Sequence, residues 1–324
     1  MRAITTAGER VVVDCGVPWL TGLLGGSTGG ELAEASPAGE TVRLTVERSR
    51  QPFSRDGWTL IGRGVWASRS AALLIDACSS GFDLQVEPRG DRLSVVARYR
   101  PSPRTRAANR VLSRRFRLLA AQTLLHYPAL WWASVRGRVP LHVSVTSTGG
   151  TATMIAGPGG VGKSTLLAAG LRRGDVATAD NICACDGVDA HGLAEPLRVA
   201  GGSGRATTTH GRSEHPLPSR VPALCPDRIV VLRRGTRAAA PYLGELSPAE
   251  AVRTIVAGTY MAGELRRFWP FAAALALATG IGPAHPDVLG VASALAARLP
   301  CFDVCVAAGS PLPIGDLLRP AGAR

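Results

Sequence analysis

The feature that most constrains this chain is a glycine-rich run between an apolar strand pattern at residues 153–156 and a helical pattern at residues 166–171. The run consists of Gly157, Pro158, Gly159, Gly160, Val161, Gly162, Lys163, Ser164 and Thr165. It fits the spacing G-x-x-x-x-G-K-[ST] of a phosphate-binding loop. In that context backbone N–H groups and the helix amino terminus face phosphate, the lysine neutralises its oxygens, and Ser164 can ligate Mg²⁺. The sequence therefore predicts an α/β domain that binds ATP or GTP together with Mg²⁺.

Lysine usage supports this prediction independently. The chain contains 37 Lys and Arg residues in total, and Lys163 is the single lysine among them. An ammonium group is compact enough to sit among phosphate oxygens inside a tight loop, whereas a guanidinium is wider and planar. Everywhere else the chain uses arginine, so a lysine retained at this position indicates a requirement for the smaller cation.

Charge and composition limit the other function classes. The formal net charge of +13 is compatible with an acidic partner, but the Ala, Gly and Arg bias is typical of a G+C-rich coding sequence, so a nucleic-acid partner is not favoured. We expect a cytoplasmic protein with no membrane partner, because no signal peptide and no apolar run of about 20 residues is evident. The seven cysteines lack zinc-site spacing and are interpreted as reduced, structural thiols. The sequence does not determine whether the chain forms a homo-oligomer.

The pattern divides the chain into an amino-terminal α+β domain over residues 1–135 and a phosphate-loop domain over residues 136–324. In the first, alternation predicts strands at residues 42–46, 84–86 and 93–99. A loop is predicted over residues 25–40, and an amphipathic helix over residues 107–125. Arginines flank this helix, where they form either a solvated face or a docking surface for an acidic partner: Arg106, Arg110, Arg114, Arg115 and Arg117.

A hairpin pattern opens the second domain. Residues 141–145 and 153–156 read as strands joined by a turn at residues 148–150. A dinucleotide-binding fold begins instead with a lone strand, a glycine loop and a crossover helix. The hairpin therefore favours a mixed sheet.

A carboxylate that could complete a magnesium site lies close to the loop. Asp180 and Asn181 end a short strand pattern, and Asp180 follows Lys163 by only 17 residues. His142 precedes Lys163 by 21 residues within the strand pattern 141–145. With these spacings the chain resembles the catalytic domain of HPr kinase/phosphorylase, whose fold is related to that of phosphoenolpyruvate carboxykinase. The resemblance covers roughly residues 139–181.

The resemblance implies a P-loop kinase domain of this type, carrying a smaller β-rich amino-terminal domain, that transfers the γ-phosphoryl group of ATP to a hydroxyl. It implies that Asp180 accepts the hydroxyl proton and that Asn181 stands where the family has a second, metal-binding aspartate. Either Ser164 and Asn181 hold Mg²⁺, or Asp180 serves the metal itself; protein kinases hold one Mg²⁺ partly through an asparagine. It also implies that His142 lies beside the phosphates, although a strand histidine is more commonly satisfied by a neighbouring carbonyl.

Three further features remain open at this level. Glu195 is either an acidic member of the site or a turn residue before Pro196. Residues 199–220 are either a surface loop or a lid whose arginines, Arg205, Arg212 and Arg220, face phosphate. Arg233 and Arg234, at the end of a strand pattern at 229–232, are further candidates for phosphate contact.

The sequence is compatible with three functions, which differ in the molecule that would accept the phosphoryl group. A kinase for a serine of a peptide or protein, including a ribosomally made precursor peptide, is the leading hypothesis and follows from the resemblance. A kinase for a small hydroxylated metabolite is the first alternative. The second is a regulatory protein that binds nucleotide and hydrolyses it slowly, which the asparagine at position 181 favours.

Overall fold

The structure, a computed structural model, describes residues 1–199, 206–207, 211–235 and 242–307. The chain divides into two units, the first comprising Met1–Gly137 and Arg266–Pro286, and the second Arg138–Leu265 and Asp287–Arg324. Residues 266–286, which the sequence interpretation placed in the phosphate-loop domain, thus belong to the amino-terminal unit. In the described part of the chain no helix is both long and apolar enough to cross a membrane.

A nine-stranded mixed sheet forms the first unit, in the order β3-β1-β2-β4-β9-β8-β7-β6-β5. Its strands are β1 (Arg2–Thr6), β2 (Glu9–Cys15), β3 (Ala33–Glu34), β4 (Val42–Glu47), β5 (Thr59–Gly62), β6 (Val65–Ser68), β7 (Ala71–Leu74), β8 (Phe82–Arg89) and β9 (Arg92–Tyr99). Strand β4 is parallel to β2 and to β9. Its Val42, Leu44 and Val46 are buried while the residues between them are half-buried, as a strand with one core face requires. The three strands predicted in this region are confirmed.

The helical region after β9 differs from its prediction. Helix α1 (Pro18–Ser27) lies near the start of the unit. The region after β9 consists of α2 (Pro103–Val111), α3 (Ser113–Ala121), a π-helical turn (Gln122–His126) and α4 (Tyr127–Val135). The single helix predicted for residues 107–125 is therefore wrong in its bounds. Ser102 caps α2 by accepting from the Thr105 N–H, and Leu112, with φ −100° and ψ 50°, separates α2 from α3.

The loop predicted for residues 25–40 is also partly wrong. Helix α1 continues to Ser27, where the Ser27 hydroxyl donates to the Leu23 carbonyl. Strand β3 pairs with β1 through residues 33 and 34. Main-chain hydrogen bonds of this kind form without large apolar side chains, so the composition of the segment did not reveal them.

Four sheets occur in the described molecule, three of them in the second unit. Its strands are β10 (Val139–Leu141), β11 (Ser144–Thr148), β12 (Thr151–Ala156), β13 (Val176–Ala179), β14 (Cys183–Cys185), β15 (Ala190–Gly192), β16 (Leu197–Val199), β17 (Ala206–Thr207), β18 (Ser213–His215), β19 (Ala223–Leu224), β20 (Arg228–Gly235), β21 (Tyr242–Glu245) and β22 (Cys301–Ala307). The largest of these three sheets has the order β13-β11-β12-β20-β22-β21. It is mixed, because β12, β20 and β22 are parallel whereas β11 and β12 form the predicted antiparallel hairpin.

Four helices complete the described fold: α5 (Lys163–Leu171), α6 (Pro248–Met261), α7 (Phe268–Thr279) and α8 (Val288–Arg298). Of these, α7 belongs to the first unit. Helix α5 follows β12 and packs on the sheet, where Leu166 lies in one apolar cluster with Ile155 and Val230. Leu167 lies in a second cluster with Ala177. These contacts fix the start of α5 at the carboxyl end of β12.

Candidate nucleotide-binding site

The glycine-rich run forms a turn between β12 and α5, as predicted. Gly162 adopts φ +118°, a conformation that L side chains rarely take. At Gly157 a side chain would have no room, because a Cβ atom there would lie 2.8 Å from the Leu232 carbonyl oxygen of β20. Backbone conformation and close packing therefore both require glycine at these two positions.

Lys163 lies inside this turn. Its side chain is 6% exposed, and its Nζ donates to the Gly157 carbonyl at 2.8 Å and to the Pro158 carbonyl at 3.4 Å. Burial lowers the pKa of Lys163 to about 8, an effect that the Asp180 and Glu264 carboxylates partly oppose. The ammonium thus remains charged at neutral pH, and among the described residues its hydrogen bonds go to neutral carbonyl groups, so an incoming anion would be a stronger partner.

Asp180 lies directly after β13, beside the start of α5. Its Oδ2 accepts from the Arg198 backbone N–H at 3.2 Å. Burial raises the pKa of Asp180, while a hydrogen bond from the Ser164 side chain partly opposes the rise. The Ser144 hydroxyl donates to the Asp180 carbonyl. Among the described residues, the buried Asp180 Oδ1 finds no hydrogen-bond donor.

The structure places His142 and Asn181 in direct contact, with 2.8 Å between the His142 Nε2 and the Asn181 Oδ1. Since an amide oxygen only accepts, Nε2 carries the proton. Burial, and next the Lys163 charge, lower the pKa of His142 to about 4, so the ring is neutral at pH 7. The Asn181 oxygen predicted to ligate Mg²⁺ is therefore engaged by His142.

His142 does not lie within a strand, and the strand predicted for residues 141–145 is wrong in its bounds. The chain leaves the four-stranded sheet at Leu141 and enters the six-stranded sheet at Ser144. Between them the His142 N–H donates to the Thr259 hydroxyl of α6 at 3.0 Å instead of to a neighbouring strand. This change of sheet turns the histidine toward Asn181.

An ionic cluster, which the sequence indicated only in part, surrounds Arg198; Glu195 is buried in it, while Arg198, Glu214 and Glu264 are half-buried. The guanidinium contacts Glu195 at 3.1 Å, Glu214 at 3.6 Å and Glu264 at 3.5 Å. Burial raises the pKa of Glu195 to about 7, although Arg198 partly opposes the rise. Asp180 joins this cluster through the Arg198 backbone, so the cluster is continuous with the phosphate loop.

Sequence reasoning left Glu195 open and missed Arg198, Glu214 and Glu264. The one local signal for this cluster was the pair Glu195 and Arg198, which lie three residues apart at the start of β16. Glu264 lies beyond α6, far along the chain, and only the tertiary structure brings it to Arg198.

The other arginine candidates have different surroundings. A Cβ atom built on Gly160 would lie 3.9 Å from the Arg212 Nη2, and the Arg212 charge lowers the pKa of Lys163 further, which places Arg212 near the phosphate loop. Arg220 donates to the Gly192 carbonyl at 3.0 Å. Arg233 pairs with Asp303 of β22 at 2.9 Å. Of the lid predicted over 199–220, residues 200–205 and 208–210, and with them Arg205, lie outside the described residues.

The donor set of the site fits a nucleotide phosphate with a divalent cation. A buried ammonium at a helix amino terminus matches an anion, and hard oxygen atoms are the ligands that Mg²⁺ prefers. Ser164 and Asp180 supply such oxygens, and Asp180 Oδ1 and Glu195 Oε1 are buried without a hydrogen-bond partner among the described residues. Comparison with models of known protein families gives no match, and comparison with curated proteins gives none either.

Proposed function

We propose that this chain is an ATP- and Mg²⁺-dependent kinase that transfers the γ-phosphoryl group to a hydroxyl, in the first place a serine of a peptide or protein. The observation that carries the proposal is the position of Asp180. It is a buried carboxylate that is hydrogen-bonded to Ser164 and electrostatically coupled to Lys163, both of them residues of the phosphate loop. A phosphate-binding turn alone supports nucleotide binding; a carboxylate held against it supports chemistry on the terminal phosphate.

Each residue has a role that follows from its surroundings. The backbone N–H groups of residues 159–162 and the amino terminus of α5 would bind phosphate oxygens, and Lys163 would exchange the Gly157 carbonyl for a phosphate oxygen. Ser164 and Asp180 would hold Mg²⁺, which would neutralise negative charge on the phosphates. Arg212 adds a second cation near the loop. Phosphoryl transfer depends mainly on such positioning and charge neutralisation.

In the alternative role, with Mg²⁺ held by other groups, Asp180 takes up the acceptor proton. Burial raises the pKa of its carboxyl, so the group is a better proton acceptor than an exposed aspartate. In the transfer, the acceptor oxygen forms a bond to phosphorus, the bond between phosphorus and the ADP oxygen breaks, and the hydroxyl proton passes to Asp180. Because the transition state is loose, little proton transfer is needed before the bond to phosphorus forms.

The contact between His142 and Asn181 favours a second candidate, a nucleotide-binding protein that hydrolyses ATP slowly. The Asn181 oxygen already accepts a hydrogen bond from His142, and an amide is a neutral, weaker Mg²⁺ ligand than a carboxylate. A site with one metal-binding carboxylate near the loop would bind nucleotide yet turn over slowly. An Asn181→Asp variant distinguishes the two candidates, because it adds a carboxylate where the family resemblance expects one.

The test is transfer of labelled γ-phosphate from Mg-ATP to a panel of serine-containing peptides and hydroxylated metabolites. Lys163→Ala and Asp180→Ala serve as inactive variants, and ATP binding is measured in parallel by calorimetry. Labelling of an acceptor that both variants abolish supports a kinase. Nucleotide binding that depends on Lys163 without labelling of any acceptor, even in Asn181→Asp, contradicts the kinase proposal and leaves the slow hydrolase.

A further inference from the structure

Six arginines stand on the surface of α2 and α3. All six are exposed, and within the part of the chain that the structure describes none of their side chains forms an ion pair: Arg104, Arg106, Arg110, Arg114, Arg115 and Arg117. The chain has no acidic residue between Asp91 and Asp175, so no neighbour in sequence neutralises them. We call this surface of α2 and α3 the arginine surface.

The helices themselves gain little from this charge, because of the six arginines only Arg110, in the last turn of α2, is favourably placed in the field of the helix dipole. Arg104 lies in the first turn of α2, and Arg114 and Arg115 lie in the first turn of α3. A helix amino terminus carries a partial positive charge, so each cation there is unfavourable, most of all when the ionic strength is low. Arg106 and Arg110, four residues apart on α2, repel each other as well. Helix stability therefore does not account for the pattern.

Two large apolar side chains are exposed at the centre of this surface. Val111 is 82% exposed and Leu112 is 47% exposed. They occupy the break between α2 and α3 and are flanked by Arg110 and Arg114. Exposed aliphatic side chains surrounded by cations suit a partner that combines negative charge with an apolar contact.

We propose that the arginine surface binds an acidic peptide segment that carries at least one apolar side chain. Arginine forks match carboxylates in bidentate geometry, and Val111 with Leu112 would contact the apolar side chain. The complementary charge would also steer association over a distance of about 10 Å at moderate salt. The segment is identified by its chemistry, as acidic residues interleaved with aliphatic ones.

Other anionic partners fit less well. A helix that lies on a membrane presents a continuous apolar face, whereas Val111 is the single large apolar side chain of α2. Single-stranded nucleic acid is held by exposed aromatic rings. The one aromatic residue of α2 and α3, Phe116, packs instead against Trp19, Phe82 and Tyr99.

The test measures binding by fluorescence anisotropy of a labelled peptide in which Glu and Asp alternate with Leu and Val. Competitors are the same peptide with Ser for Leu and Val, mixed-sequence DNA, and vesicles containing phosphatidylserine. The full chain is compared with an Arg110→Glu/Arg114→Glu variant. An Arg50→Glu/Arg63→Glu variant is the matched control, since it changes the net charge equally at exposed positions elsewhere in the same unit.

We expect the arginine-surface variant to bind the peptide about tenfold more weakly and the control to differ by less than about twofold. Val111→Ser should weaken the Leu- and Val-containing peptide but not the Ser-containing one. Equal loss in both charge variants would mean non-specific attraction and would overturn the proposal, as would failure of the peptide to bind. Preferential, site-dependent binding of DNA or vesicles would overturn it in favour of that partner.

Identifying this peptide with the phosphoryl acceptor rests on the proposed function, whereas the binding itself does not. The anisotropy measurement contains no nucleotide. A chain that binds the peptide but labels no acceptor therefore contradicts the kinase while leaving the arginine surface intact, and the two failures are distinguishable.

Discussion

On α2 and α3 of the first unit the arginines are exposed and unpaired with any described carboxylate, whereas in the second unit Lys163 is buried, and Arg198 largely so, each against specific partners. Both regions are cationic, but water and salt screen the first and largely not the second. A buried cation whose partner is removed costs several kcal/mol, while an exposed one contributes within about 1 kcal/mol. On the arginine surface, charge acts at a distance. In the site around Lys163 and Arg198, the position and shape of each cation determine its effect.

The largest expected effect is at Lys163. Replacement by alanine removes the cation, and replacement by arginine keeps the charge but not the compact shape, so we expect both to lower phosphate transfer by about 1000-fold. Transfer from Mg-ATP and ATP affinity by calorimetry are the measurements. Arg172→Lys makes the reverse exchange at an exposed position and should leave both values unchanged. A Lys163→Arg variant with full activity would show that charge alone suffices at this position.

Removal of Arg198 should have the largest effect on folding. Arg198→Met leaves the buried Glu195 and the half-buried Glu214 and Glu264 without their common cation, which should cost about 1–3 kcal/mol. Urea denaturation at pH 7 measures the change in the free energy of unfolding. The matched variant Arg110→Met makes the same exchange on the exposed surface, where a change within about 0.5 kcal/mol is expected. Similar losses in both variants would remove the distinction between the two regions.

Within the second unit, local patterns in the sequence predicted the surroundings of Lys163 better than the cluster around Arg198. The glycine-rich turn, the hairpin before it and the strand before Asp180 follow from short-range rules, because glycine conformation, strand alternation and helix start are encoded within a few residues. The cluster around Arg198 depends on Glu264, which follows α6, and on the packing of β16 against β18. No periodicity joins such distant positions, and the same holds for the turn of His142 toward Asn181.

The bounds of the arginine-rich helices were missed for a different reason. A single amphipathic helix was expected over residues 107–125, but α2 begins at Pro103 and a break at Leu112 separates it from α3. Proline is favoured at a first helical position, so the earlier start was readable. The break at Leu112 could not be predicted, because no glycine or proline marks it; the exposed Val111 and Leu112 lie at this break.

Glu195 should give the cluster a pH dependence of intermediate size. Burial raises the pKa of Glu195 from 4.5 to about 7, so between these values the folded chain keeps a proton that the unfolded chain releases. The free energy of unfolding therefore falls as pH rises through this window. Glu195→Gln lacks this dependence, and its stability relative to the unmodified chain should increase by up to about 3 kcal/mol between pH 4.5 and pH 7.

Thermal unfolding across this pH range tests the expectation. Glu34→Gln, at an exposed position, controls for the loss of one carboxylate and should follow the unmodified chain. If stability depends on pH in the same way in all three proteins, Glu195 is ionised over the whole range and is stabilised by Arg198, which contradicts the expectation.

The smallest expected effect is a gain in stability on the arginine surface, at Arg115. Arg115 lies in the first turn of α3, where a cation opposes the helix dipole, so Arg115→Glu should raise the free energy of unfolding by about 0.3–1 kcal/mol at low salt. The gain should disappear in concentrated NaCl because the interaction is screened, and Arg63→Glu, outside any helix, should show no comparable gain. The same Arg115→Glu variant should bind the acidic peptide more weakly. A substitution that strengthens the fold while it weakens binding would show that this cation is present for a partner; a variant that is less stable at low salt would show instead that Arg115 supports α3.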